Sequence, residues 1–170
     1  GHIDLGYNGS IYSYGNYDED NRSKNSIYGD GVLICGSEVD FINFSVKHKT
    51  IVYQYVIDLS LEEARMIDNQ INHLLKDTYY FKNPGVKGAH LTNLQEQSNF
   101  YSFYKFNNQP YKTYNMFTTN CVMLANAILE SSGLKLFQLS GIITPGSYYS
   151  YLEELVATQS VPIERIIHTY

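Results

Sequence analysis

The 170 residues include no tryptophan, only two cysteines and only four prolines. Two cysteines, Cys35 and Cys121, exclude a disulfide framework. Charged residues are scarce at 17%, and the shortage falls on the basic side, with 12 Lys and Arg against 17 Asp and Glu and a net charge of −5. That balance argues against nucleic acid as a partner, because such proteins carry a basic stripe. No apolar run approaches the ~18 residues of a membrane span, so no transmembrane segment is expected. The opening Gly1-His2-Ile3-Asp4 has neither the basic nor the apolar region of a signal peptide. Its strand-like pattern reads as a domain cut from something longer.

The apolar content, 44%, is that of a folded chain, and the length suits one domain with a sizeable core. Tyrosine stands out, at 17 residues. Such rings suit a half-wet groove, but Asn, Lys, Ile and Tyr are enriched together, which an AT-rich coding sequence also produces.

The pattern is that of an α+β domain without internal repeats. Ile3, Leu5 and Tyr7 alternate with polar residues, Asn8-Gly9 is a strong hairpin turn, and Ile11 to Tyr17 form the return strand. A two-residue turn sets His2 opposite Gly15, with Ser13 and Tyr17 on the same face. Residues 18–31 read as a solvated loop; Asp18, Asp20 and Asp30 fail the calcium-loop spacing, with Arg22 where an oxygen ligand belongs. Val32–Cys35, Phe41–Val46 and Thr50–Ile57 read as strands. Ser60 and Glu63 form a capping box for a helix reaching Lys76. Residues 78–99 read as a long loop of the kind that covers a site, and Phe100–Phe106 as a strand. A second helix, capped by Thr118 or Thr119, carries Cys121 and stops at Gly133. A third starts at Thr144-Pro145, and Val161–His168 is the last strand.

Cys121 falls in the first turn of its helix, where backbone N–H groups and the helix dipole favour a thiolate. That is a nucleophile's position, and the Cys121 N–H with Asn120 could bind an oxyanion. A free cysteine is also at home as a small buried hydrophobe, and Cys35 in a mid-strand apolar run reads that way. A thiolate needs a base. His48, in Lys47-His48-Lys49, reads as solvated, His73 as surface, and His90 as a residue of the long loop. His2 and His168 sit on strands, where an imidazole is held rigidly.

Gly1-His2-Ile3-Asp4-Leu5-Gly6 with Ile11-Tyr12-Ser13-Tyr14-Gly15 resembles the opening of circularly permuted NlpC/P60-type papain-fold proteins. Thr119-Asn120-Cys121 and Gly141-Ile142-Ile143-Thr144-Pro145-Gly146 resemble later segments of the same group. The resemblance implies a papain-like α+β fold, with an antiparallel sheet packed against a cysteine-bearing helix and two further helices. It implies a cysteine hydrolase of amide bonds, with Cys121 as nucleophile, His2 as base and no metal or cofactor. Peptidoglycan peptides are the implied substrate, and an exported bacterial effector acting in the periplasm or a target cell the implied setting. An antibacterial toxin of this type would bring an immunity protein that occludes Cys121. The third, orienting residue departs from the family's His, Asn, Gln or Glu. Ser13, Tyr14 and Asn16 stand there, and hairpin geometry puts only Ser13 on the His2 face. Orientation by a backbone carbonyl is the alternative. Other readings are an acyltransferase, deamidase or protease effector acting on a host protein or lipid, and an inactive papain-like binding module.

Overall fold

The computed structural model describes residues 1–25, 27–98, 100–134 and 143–170. The segment Gly141-Ile142 therefore lies outside the described residues.

The chain opens with the expected hairpin. β1 (Leu5–Tyr7) and β2 (Ser10–Gly15) pair Leu5 with Tyr12 and Tyr7 with Ser10. The turn holds Asn8 at φ 50° and Gly9 at φ 73°, the left-handed region that asparagine and glycine tolerate. β2 ends at Gly15, two residues sooner than expected, and His2 precedes the paired part of β1.

β3 (Tyr28–Asp30) pairs with β8 (Thr113–Asn115) as a two-stranded ribbon, so the expected loop 18–31 contains a short strand. β4 (Val32–Ser37), β6 (Thr78–Tyr80) and β7 (Ser102–Phe106) complete a five-stranded antiparallel sheet in the order β1-β2-β4-β7-β6. β5 (Val52–Ile57) and β9 (Ile163–His168) form a separate antiparallel pair.

Five helices occur among the described residues, two more than expected. α1 (Glu38–Lys47) replaces the expected strand Phe41–Val46. The Ser37 hydroxyl caps it by accepting from Asp40 N–H, and Phe41 and Phe44, one turn apart, bury on the same side. α2 (Leu61–Lys76) has the expected Ser60–Glu63 capping box. α3 (His90–Gln97) lies inside the expected long loop; no side chain caps it, and the burial of Leu91 and Leu94 holds it instead. α4 (Cys121–Glu130) begins one residue past the expected caps, because Asn120 takes that role. Gly133, at φ 80°, follows its C-terminus as expected. α5 (Pro145–Thr158) starts where Thr144-Pro145 predicted a helix, with Thr144 as its cap.

The sheet separates two cores. On one face, Tyr14, Leu33 and Phe106 pack against Ile67 and Ile71 of α2 and Leu124, Ala125 and Ile128 of α4. On the other, Ile11, Val32, Ile34 and Phe103 pack against Phe41 and Phe44 of α1 and Leu91 and Leu94 of α3. A third cluster joins Cys121 and Val122 to Tyr148, Leu152 and Leu155 of α5. The start of α4 is thereby clamped between the sheet and α5.

The polar segment 18–31 is tied to the sheet by charge. Lys105 of β7 donates to Asp18 at 2.5 Å and Asp30 at 2.8 Å, while its ammonium lies 4.6 Å from the Phe81 ring centroid. Asp18 is fully buried, so removing the cation strands its carboxylate. Lys105→Met should therefore cost about 3–5 kcal/mol, read from the urea midpoint at unchanged m-value, whereas Asp30→Asn, at the more exposed end, should cost much less.

Candidate active site: a cysteine–histidine pair at the start of α4

Cys121 occupies the first position of α4 because Asn120 fixes where that helix starts. The Asn120 side-chain carbonyl accepts from Met123 N–H at 3.1 Å, and its NH2 donates to Met116 O at 2.9 Å and Ile143 O at 3.0 Å. Both side-chain hydrogens are thus spent on carbonyls. The expected use of the Asn120 side chain as an oxyanion donor does not fit this arrangement. The Cys121 N–H, in the first turn, has no i−4 carbonyl within the helix.

The chain entering β1 passes over this helix end. His2 and the Cys121 thiol lie close enough for each to move the pKa of the other, and the Ile3 backbone acts on the thiol as well. Burial pushes the thiol pKa up, but the hydrogen bond and positive charge of His2, with the Ile3 contact, outweigh it and leave Cys121 below the ordinary thiol value. Burial disfavours the His2 imidazolium, yet Tyr17, the Asp4 carboxylate and the bond to Cys121 raise its pKa well above the usual histidine value. The opposite shifts describe one coupled pair, in which the thiolate and the imidazolium favour each other.

His2 Nε2 faces three oxygens: Tyr17 Oη at 2.9 Å, Asp4 Oδ1 at 3.0 Å and Ser13 Oγ at 3.2 Å. Ser13 lies where the hairpin register puts it, fully buried on the His2 face, and bridges to Tyr17 Oη at 3.0 Å. Tyr14 points to the opposite face, its hydroxyl donating to Tyr111 O at 2.8 Å.

Asp4 is the group that reading the sequence missed. It lies two residues after His2, so strand alternation already sets both on one face. Burial raises its pKa, but the His2 charge 3.0 Å away, with the nearby Ser13 hydroxyl, holds the carboxyl below its ordinary value. Among the three oxygens at Nε2, the Asp4 carboxylate carries the formal negative charge. It suits the orienting role better than the neutral Ser13 hydroxyl, which lies against His2 Nε2 and Tyr17 Oη.

His168 belongs elsewhere. It pairs with Val52 across the β5–β9 ribbon, and its Nε2 lies 2.9 Å from Gln54 Oε1, while Gln54 donates to Glu38 at 2.8 Å. Cys35 is a free thiol on β4, and burial pushes its pKa up to about 12. His48 approaches Phe44 O through Nδ1 at 2.8 Å.

The imidazole opens onto a cavity of ≈ 1410 Å³. Ile3, Phe41, Phe44, Ile57, Tyr148 and Leu152 contribute to its walls, and no lysine or arginine is found among the described lining residues. No group of His, Cys, Asp and Glu able to hold a metal occurs among the described residues, and no described helix is long and apolar enough to cross a membrane.

No family model matches this chain, and no curated protein or solved structure matches it either.

The ion pair fixes the order in which the two thiols react. Cys121 should be alkylated by iodoacetamide at pH 6, whereas Cys35 should require strongly alkaline solution. Asp4→Asn should delay the appearance of the Cys121 thiolate to higher pH, because a neutral partner at Nε2 no longer favours the imidazolium. Ser13→Ala should do so less. Identical pH dependence for both cysteines would contradict the pair.

Proposed function

We propose that this chain is a thiol hydrolase of amide bonds, with Cys121 as nucleophile and His2 as general base and acid. The observation that carries the reading is the contact of His2 with a first-turn cysteine, with the two pKa values moved in opposite directions. Such a pair holds a nucleophile and a proton donor ready at neutral pH. The arrangement also agrees with the resemblance to permuted NlpC/P60-type papain-fold proteins, which remains the proposed fold family.

The thiolate attacks the substrate carbonyl carbon, and the carbonyl electron pair moves onto oxygen. The developing oxyanion is stabilised by the Cys121 N–H and the N-terminal dipole of α4. As the tetrahedral intermediate collapses, the C–N bond breaks and the His2 imidazolium gives its proton to the leaving amine. A thioester remains. Neutral His2 then takes a proton from water as the water attacks the thioester carbon. The C–S bond breaks, the thiolate reforms and the acid product leaves. Asp4 stabilises the imidazolium in both half-reactions.

Peptidoglycan peptides are the proposed substrate, within an exported bacterial effector. An immunity protein covering Cys121 is the proposed partner. A second reading, hydrolysis or transfer of an acyl group on a lipid or host protein, shares every residue. It is favoured by the large apolar cavity without cations beside His2. Product analysis separates the two: release of new amines from purified peptidoglycan supports the first, and transfer of an acyl group to an added acceptor the second.

Cys121→Ala should remove turnover, by about 10³-fold or more, with little change in thermal unfolding. His2→Ala should lower acylation by about 10²–10⁴-fold, while His168→Ala should leave it near the native rate. Full activity in the His2 variant, or loss in the His168 variant alone, would overturn the assignment. If Cys121 proves no more reactive than Cys35, an inactive binding module becomes the better reading.

A further inference from the structure

Tyr17 reaches the catalytic pair only because its ring is held from two sides. β2 ends at Gly15, and the chain then turns so that the Tyr17 ring folds back over that glycine. A Cβ at Gly15 would lie 2.6 Å from Tyr17 Cζ, so the absence of a side chain admits the ring. On the other side, the His90 imidazole stacks on the tyrosine, with centroids 5.0 Å apart and planes 18° from parallel.

His90 is itself fixed by the core. It is the first residue of α3, whose Leu91 and Leu94 are buried beneath the sheet. Its ring meets the edges of Phe44 at 5.5 Å and Phe41 at 6.4 Å. The titratable groups that act on it are His2, Asp4 and His48, with Tyr17 on its face. Burial and the nearby His2 charge lower its pKa, so it stays neutral. His90 Nε2 is buried and makes no hydrogen bond among the described residues, so that nitrogen does no visible polar work.

We infer that His90 is a positioning residue for the Cys121–His2 pair: its ring, opposing Gly15, sets the Tyr17 hydroxyl against His2 Nε2, 2.9 Å away. The inference rests on the proposed role of that pair. Holding Nε2 fixes the rotation of the imidazole, and so its orientation toward the thiol. The contribution of His90 is a flat surface, not a proton, because its free nitrogen has no partner. Phenylalanine can supply the same surface; an aliphatic side chain cannot.

The test needs no substrate. The rate of Cys121 alkylation by iodoacetamide is measured against pH for the native chain and for His90→Ala, His90→Phe, Gly15→Ala and His2→Ala. His90→Ala and Gly15→Ala should each slow alkylation at pH 6 by about tenfold, the effect of a one-unit rise in thiol pKa. His90→Phe should stay within about threefold of native, a factor worth about 0.7 kcal/mol. A residue of purely structural value would alter thermal unfolding and leave the pH profile in place. Should His90→Ala fail to fold, His90→Leu and Gly15→Ala carry the same expectation. Native profiles in His90→Ala and Gly15→Ala, alongside a shifted profile in His2→Ala, would overturn the role of His90 while leaving the pair intact. So would a His90→Phe chain as impaired as His90→Ala. An unshifted His2→Ala profile would instead overturn the pair, and the inference with it.

Discussion

One buried amide governs the site. Asn120 holds Met116, Ile143 and Met123 with a single side chain, tying the segment before α4, the segment before α5 and the first turn of α4 itself. Each of those groups is a backbone donor or acceptor, and the bond to Ile143 O is buried, where losing the partner costs about 1–3 kcal/mol. The start of α4 is therefore fixed to within one residue. Cys121 has its sulfur at the helix end because Asn120 caps there. A cap moved by one residue would rotate the thiol by about 100° around the helix axis.

Around that fixed point the electrostatics follow from burial. A thiol that is only 2% exposed should resist ionisation. It does not, because an imidazole approaches it and carries an anionic partner on its far side. Asp4, His2 and Cys121 thus form a row in which the charged form of each favours that of its neighbour. Each group in the row offsets part of the desolvation of its neighbour. Ser13 and Tyr17 contribute hydroxyl oxygens that orient the row.

The sheet supplies the rigidity this row requires. β2 is paired on both sides, with β1 and β4, so Ser13 has little freedom to move. α4 packs on one face and α1 with α3 on the other, so the helix bearing Cys121 and the helix bearing His90 approach one hairpin from opposite sides. That sandwich explains how residues from positions 2, 17, 90 and 121 come to share one small volume.

Much of this was written locally. Asn8-Gly9 determined the hairpin register, and with it the Ser13–His2 proximity, because a two-residue turn leaves one way to pair the strands. The Ser60 and Thr144 caps were legible for the same reason: their partners lie three residues away. Asp4 was equally local, on the face of His2, though its role was not read from the pattern. Elsewhere local preference misled. Phe41–Val46 has strand-forming residues, but burying Phe41 and Phe44 together beneath the sheet needs helical spacing. α3 has no cap signal, and only the depth of Leu91 and Leu94 explains it. Strand position alone did not separate His2 from His168; only the resemblance carried by Gly1-His2 and Tyr12-Ser13-Tyr14-Gly15 favoured His2. Tertiary structure decided between them by sending β9 to pair with β5, where Gln54 occupies His168, and the start of the chain to the end of α4. Turns and caps act within a few residues and can be read along the chain. Which imidazole meets the thiol depends on burial summed over three cores, and only the folded chain performs that sum.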